Sequence, residues 1–279
     1  MNDRRMPPAV VFTDMDGTLL GHHDYSTAGA LKGLSRCRAD GIPVIPNTSK
    51  TKVETLDLME QLKLPWACIV ENGSAALIPP GSPWNTQGDL QEYRFGCARS
   101  ELKPQIDAVA METGACFERF SDMSLERISE LTGLSQENAM GASAREYSEP
   151  LFWMDTQPAL ERFEQAVIQR GLQCLRGGRF VHVLGRTDKG HAARTLIHQL
   201  GLEDIPMIAL GDSGNDAAMI RAADVGIWVR TPKGSPPPEH ALKTTIQTRL
   251  PAPDGWTEGV LVALETLALP TKAETDTHE

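Results

Sequence analysis

Asp14 and Asp16 stand two positions apart at the end of the apolar run Val10-Val11-Phe12-Thr13, directly before Gly17-Thr18. Residues at i and i+2 of a strand share a side, and two carboxylates held together there repel unless a cation lies between them. Mg²⁺ suits such a place, because it takes hard oxygen ligands and keeps waters and a substrate phosphate in its shell. Three further stretches have the same character. Thr48-Ser49-Lys50 follows an apolar segment and precedes a helical one, so its hydroxyls and the helix N-terminus could hold phosphoryl oxygens. Asp188-Lys189-Gly190 puts a lysine at a helix start, and Gly211-Asp212-Ser213-Gly214-Asn215-Asp216 adds two more acids between an apolar run and a helical one. Each stretch alone has a plain alternative: a solvated turn for D-x-D-G-T, a helix cap for Thr48, a surface lysine for Lys189. Together they describe an acidic corner that gathers a cation and a phosphorylated anion.

The elements that must carry these residues alternate. Residues 10–13 read as a buried strand, 27–40 as a helix stopped by Gly41, and 42–47 as a second strand despite Pro43 and Pro46. A helix over 51–62 follows, with Val53, Leu56, Leu58, Met59 and Leu62 at near-helical spacing, then a short strand over 67–70. Strands separated by helices mean βαβ units and a parallel sheet, whose sites gather at the carboxyl ends of the strands. Pro79-Pro80-Gly81-Ser82-Pro83 interrupts the pattern. It resumes with a helix over 188–200, a strand over 207–210, a helix over 216–223 and a strand over 225–229. A loop over 231–239, a helix over 256–267 and a disordered polar tail over 271–279 complete the expectation. The economical organisation is an α/β core in two parts, 1–84 and 184–279, with an inserted domain over 85–183, a length of roughly 95 residues that is ordinary for a domain.

The 279 residues are 41% hydrophobic, enough for a sizeable core, and carry a net charge of −10. That acidity argues against nucleic-acid binding, which leaves basic patches, and requires positive charge to be concentrated locally around an anionic substrate. Five scattered cysteines without a C-x-x-C pair fit reduced cytoplasmic thiols better than disulfides or zinc. The first eight residues lack the apolar region of a signal peptide, and no apolar run of about 18 residues offers a membrane span. A soluble cytoplasmic protein acting on a small molecule, with neither nucleic acid nor membrane as partner, is the expectation.

In order and spacing, D-M-D-G-T, T-S-K, D-K-G and G-D-S-G-N-D resemble the four motifs of the haloacid dehalogenase superfamily of phosphatases. The long insertion after the second motif resembles the subclass with an α/β cap. The resemblance implies a Rossmann-like core with a parallel sheet and an inserted α+β cap. It also implies Asp14 as nucleophile and Asp16 as acid and base. Mg²⁺ would be held by Asp14, the Asp16 carbonyl and Asp212. Thr48 and Lys189 would bind the phosphoryl oxygens, and Asn215 and Asp216 would orient Lys189 and the metal's water. Gly17 and Ser49 belong to the same phosphate-binding surroundings.

A narrower likeness lies in His22-His23-Asp24-Tyr25-Ser26, Pro46-Asn47-Thr48-Ser49-Lys50-Thr51, Val70-Glu71-Asn72-Gly73, Leu131-Thr132-Gly133-Leu134, Arg145-Glu146-Tyr147-Ser148-Glu149-Pro150 and Gly177-Gly178-Arg179-Phe180. These are similar to the mannosyl-3-phosphoglycerate phosphatases. The likeness implies hydrolysis of that sugar–glycerate phosphate to mannosylglycerate, a compatible solute. The alternatives are the glucosyl analogue or another sugar phosphate and, outside enzymes, an inactive phosphosugar-binding module, which the intact Asp14, Asp16, Lys189 and Asp212 disfavour. Arg145, Glu146, Tyr147 and Ser148 would then read the substrate from the cap, Arg145 through the bidentate fork that suits a carboxylate. Otherwise the motif is a polar loop joining a helix to a strand. Lys50, His182 and Arg186 are further substrate candidates, each balanced against surface charge or, for His182, a satisfied strand histidine. His22 and His23 would shape the flap after Thr18 rather than bind a metal, and Trp84 and Trp153 would pack the cap.

Overall fold

The computed structural model describes residues 6–22, 24–177, 179–232, 234 and 245–269. His23, Gly178, most of the loop over 231–239 and the tail over 271–279 lie outside the described residues. Along the first part run β1 (Val10–Thr13), α1 (Leu31–Asp40), β2 (Val44–Pro46), α2 (Lys52–Leu62), β3 (Cys68–Val70), β4 (Ala75–Ile78) and β5 (Gln91–Arg94). The middle holds α3 (Arg99–Thr113), β6 (Phe117–Arg119), α4 (Leu125–Thr132), α5 (Gln136–Ser143), β7 (Ser148–Trp153), α6 (Gln157–Gln169), β8 (Leu172–Gly177) and β9 (Phe180–Gly185). The chain then forms α7 (Lys189–Leu200), β10 (Met207–Gly211), α8 (Ala217–Ala222), β11 (Val225–Arg230), β12 (Thr245–Pro251) and α9 (Asp254–Thr266).

Five parallel strands in the order β12-β11-β10-β1-β2 make the central sheet. Its strands read as unbroken apolar runs because both faces are covered. Val11 joins one core cluster with α1 and α9 through Leu34, Trp256 and Val260. Val10 and Phe12 join the other with α7 and α8 through Ala192, Leu196 and Met219. The Trp256 indole donates to Thr13 Oγ1 at 2.9 Å, which fixes α9 against the end of β1 just before Asp14.

Two expectations are revised here. The strand over 67–70 belongs to a separate antiparallel sheet, β3-β4-β5, and meets the parallel sheet through the bridge Asn47–Ile69, the Thr48 N bond to the Ile69 carbonyl and shared core packing. A three-residue strand carries no pattern that distinguishes the two. Trp84 packs in the core against Trp66, with ring centroids 4.9 Å apart, rather than in the cap. The boundary placed after residue 84 falls between β4 and its partner β5.

The middle of the chain has its own antiparallel sheet, β6-β7-β9-β8. One face packs on α3 and α6 through Leu102, Ile106, Phe163 and Val167 with Leu151 and Val183. Phe180, of opposite parity to Val183 on β9, instead meets the cluster of Phe120, Ile128, Ala139 and Ala142. On the face covered by α3 and α6, Trp153 packs against Phe117 and Phe163, as its expected cap role required. No helix among the described residues is long and apolar enough to cross a membrane.

Candidate active site

Adjacent strands β1 and β10 are in register at Thr13 and Leu210, so Asp14 and Asp212 emerge side by side from their carboxyl ends. Asp14, Asp212 and Asp216 bring carboxylate oxygens within 4.8 Å of one another. Lys189 is the first residue of α7, whose N-cap Asp188 accepts from His191 N. Its ammonium is buried 2.6 Å from Asp14 Oδ1 and 2.6 Å from Asp216 Oδ1. Asp216 has no spare oxygen, because its Oδ2 accepts from the amides of Asp212 (3.1 Å) and Ser213 (3.0 Å). Asp212 Oδ1 accepts from Thr18 Oγ1 at 3.0 Å. Gly17 has φ 76°, and a Cβ there would lie 2.7 Å from Asp212 Oδ2, so only glycine fits between the two acidic stretches.

Three buried carboxylates face one ammonium. Burial pushes the Asp14 carboxyl up to about 8, opposed by Lys189 and assisted by Asp216 and Asp212. Asp212 rises to about 7, again through burial first and Asp216 second. Asp14 and Asp216 raise Lys189 above its ordinary range against its own burial. Unbalanced negative charge of this kind is neutralised by a cation, and an all-oxygen donor set fits a hard divalent ion such as Mg²⁺.

Asp16 lies at the lip of the same cleft. Its Oδ2 is 2.9 Å from Lys50 Nζ, while its Oδ1 is buried with no hydrogen-bond partner. Lys50 also lies over the Tyr25 ring, 5.4 Å from the centroid. Thr48 is buried, and its hydroxyl accepts from Lys50 N at 3.2 Å. Asn215 donates to Asn72 Oδ1 at 2.9 Å. The structure therefore brings Asp14, Asp16, Gly17, Thr48, Lys50, Lys189, Asp212, Asn215 and Asp216 to one mouth.

The 145–150 segment meets that mouth from the cap side. Arg145 Nη1 donates to the Ser49 carbonyl (3.2 Å) and to Ser148 Oγ (3.0 Å) and lies 3.8 Å from Glu71 Oε2. Its Nε is buried without a partner. Glu146 lies 3.4 Å from Lys52 Nζ, Tyr147 packs in the core cluster, and Ser148 Oγ donates to Glu71 Oε2 at 2.5 Å. Glu149 is buried in a two-pronged pair with Arg99. Their partners are thus largely core groups. His182, opposite Pro150 and Leu175 in the cap sheet, has a buried Nδ1 with no partner. Burial, with Arg145 nearby, pulls its imidazole down to about 3, so it is neutral at pH 7. Arg186 is exposed in the link from β9 to α7, away from any partner among the described residues.

Sequence reasoning left Thr18 and Glu71 without a role at the site and gave His22 only a part in shaping the flap after Thr18. His22 Nε2 lies 3.5 Å from Asp212 Oδ2. Thr18 was visible in the D-G-T run as a hydroxyl beside two acids. Glu71 had no local signal beyond its place in Val70-Glu71-Asn72-Gly73.

The sequence profile of the haloacid dehalogenase-like hydrolases matches residues 11–83 and 177–233, the two stretches that hold the acidic cluster. Over 260 residues the chain is 31% identical to a glucosyl-3-phosphoglycerate/mannosyl-3-phosphoglycerate phosphatase from Methanococcoides burtonii, covering 90% of this chain and 96% of that one. It is 33% identical over 262 residues to a protein of the same name from Persephonella marina, covering 90% and 95%. A phosphatase structure of the same superfamily from Bacteroides thetaiotaomicron shares the fold, with a TM-score of 0.65, 18% identity and coverage of 97% and 98%. This chain belongs to the haloacid dehalogenase-like hydrolase family.

Proposed function

We propose that the protein is a Mg²⁺-dependent phosphatase that hydrolyses mannosyl-3-phosphoglycerate to mannosylglycerate and phosphate. Phosphoester hydrolysis has a very high barrier, and covalent catalysis divides it into two lower ones. Asp14 attacks phosphorus through a carboxylate oxygen, the ester P–O bond breaks, and Asp16 gives its proton to the departing glycerate oxygen. Asp16 then takes a proton from water, whose oxygen displaces Asp14 from the aspartyl phosphate and releases inorganic phosphate. Lys50, 2.9 Å from Asp16, orients that acid and base. Lys189 fixes the Asp14 carboxylate for attack and, with Thr48, stabilises the equatorial phosphoryl oxygens. Asp14, Asp212 and the Asp16 carbonyl would hold Mg²⁺, which when bound supplies neutralisation of charge on the transferring group. Asp216, its oxygens already engaged, acts by orienting Lys189 and the Asp212 backbone.

Residues 85–183 serve as the cap in this reading, and Arg145 is the observation that carries its substrate half. Nη1 anchors the guanidinium to Ser49 and Ser148, leaving the Nε edge without a protein partner. That edge takes a carboxylate side-on, and glycerate supplies one. Neutral His182, with a buried and unpartnered Nδ1, suits a hydroxyl of the sugar or glycerate. A second reading, equal use of the glucosyl analogue, is favoured by the names of both relatives, which carry both sugars. Five unpaired cysteines support a cytoplasmic setting. Phosphate release from a panel of sugar phosphates, with and without Mg²⁺, tests the proposal. Turnover of mannosyl-3-phosphoglycerate that requires Mg²⁺ is expected. Preference for an ester without the glycerate would end the substrate assignment.

A further inference from the structure

The turn after β3 is a junction. Glu71 (φ 47°), Asn72 (φ 59°) and Gly73 (φ 89°) are three left-handed residues in a row. Glycine adopts that geometry freely and asparagine tolerates it, whereas glutamate is strained there. Each residue of the turn is tied to a different part of the mouth. Glu71 N donates to the Lys50 carbonyl (3.0 Å) and Asn72 N to the Thr48 carbonyl (2.9 Å). Asn72 Oδ1 takes the Asn215 amide, and the Gly73 carbonyl takes Thr187 Oγ1 at 2.8 Å, beside Lys189. The Glu71 side chain alone points across to the cap. Its carboxylate is fully buried and accepts from Glu146 N (2.7 Å), Tyr147 N (3.2 Å) and Ser148 Oγ (2.5 Å), with Arg145 Nη1 at 3.8 Å.

We infer that Glu71 is a positioning residue for substrate selection, registering the 145–148 segment, and with it the unpartnered edge of Arg145, against the phosphoryl-transfer site. This deepens the proposed function and rests on Arg145 as the glycerate ligand. Three donors and a guanidinium converge on one side chain, which only a carboxylate with two accepting oxygens satisfies. Asparagine would relieve the backbone but fall short of the cap. Glutamine would reach it with a single accepting oxygen and turn an NH₂ toward donors.

The test is steady-state kinetics of Glu71→Gln, Glu71→Asn and Ser148→Ala with Mg²⁺, on mannosyl-3-phosphoglycerate and on an aryl phosphate, with Tm recorded for each. KM for the glycerate ester is expected to rise about 10- to 100-fold in the Glu71 variants, more for Asn than Gln, as loss of charge-assisted bonds predicts. Ser148→Ala is expected to raise it less, and in Glu71→Gln/Ser148→Ala by less than the product of the single effects, because both act through one contact. Activity on the aryl ester should stay within about threefold, since that ester makes no use of the cap's carboxylate reader. Equal losses on both esters would make Glu71 merely structural and overturn the inference. So would an unchanged KM, and Ser148→Ala decides by the same criterion if the Glu71 variants do not fold. A wild-type enzyme that does not favour the glycerate ester overturns the substrate reading alone. The same variants, assayed on the ester it does favour, then decide Glu71.

Discussion

At the mouth of the core, Asp14 and Asp216 are buried and each accepts from the buried Lys189 ammonium at 2.6 Å. Across the seam, Arg145 and His182 each keep a buried nitrogen with no protein partner. The first region is closed on itself and, in the proposed function, answers to the phosphoryl group that every phosphoester shares. The second holds its cation in place with one nitrogen and leaves another buried and unpartnered, as the proposed recognition of one particular ester requires. In the proposed function chemistry and selection are thereby separated, and Glu71 forms the bridge between them.

The comparison breaks most visibly at Asp14. Asp14→Asn is expected to lower phosphate release from every ester by about 10⁴-fold or more, while the substrate Kd, measured by calorimetry, stays within about threefold because the cap still reads it. Lys189→Met leaves buried carboxylates without their cation. It should destabilise the fold by about 3–5 kcal/mol in denaturant unfolding, an effect Ala or Met at a surface lysine would not have. The raised Asp14 and Asp212 carboxyls make the metal-free protein lose stability as pH climbs from their ordinary range near 4 through about 7 and 8, since the folded state holds protons the unfolded chain releases. The Tm gain on adding Mg²⁺ should therefore be larger at pH 8 than at pH 5; a gain independent of pH would place the ion elsewhere. In the cap the sign is opposite. His182 is neutral in the fold down to about 3 but takes a proton near 6.5 when unfolded. Stability should fall by about 1.4 kcal/mol per pH unit as pH drops between those values, and His182→Gln should flatten that slope.

The mouth was legible in the sequence because its parts are local. An apolar run covered on both faces ends in acids, and β1, β10 and the Thr48 stretch each announce themselves in that way. What joins them was not legible. The Lys50–Asp16 pair and the Thr18–Asp212 bond depend on which strands lie side by side. The Glu71 contacts span 75 to 77 residues of chain. β12 passed unread because Arg249 and Leu250 are exposed and Gln247 interrupts any apolar run, the pattern of a sheet edge rather than of a covered strand. R-E-Y-S-E-P was readable as a motif, but its division of labour was not. Glu149 serves Arg99, Tyr147 serves the core, and Arg145 alone keeps an unpaired buried nitrogen.

Side-by-side kcat/KM values for the wild type and Arg145→Ala, measured with Mg²⁺ on mannosyl-3-phosphoglycerate and on an aryl phosphate, test the separation of chemistry from selection most directly. The expected result is a loss of about 100-fold on the glycerate ester, the order of a lost bidentate carboxylate contact, with the aryl ester within about threefold. Equal losses on both esters, or no loss on either, would contradict it.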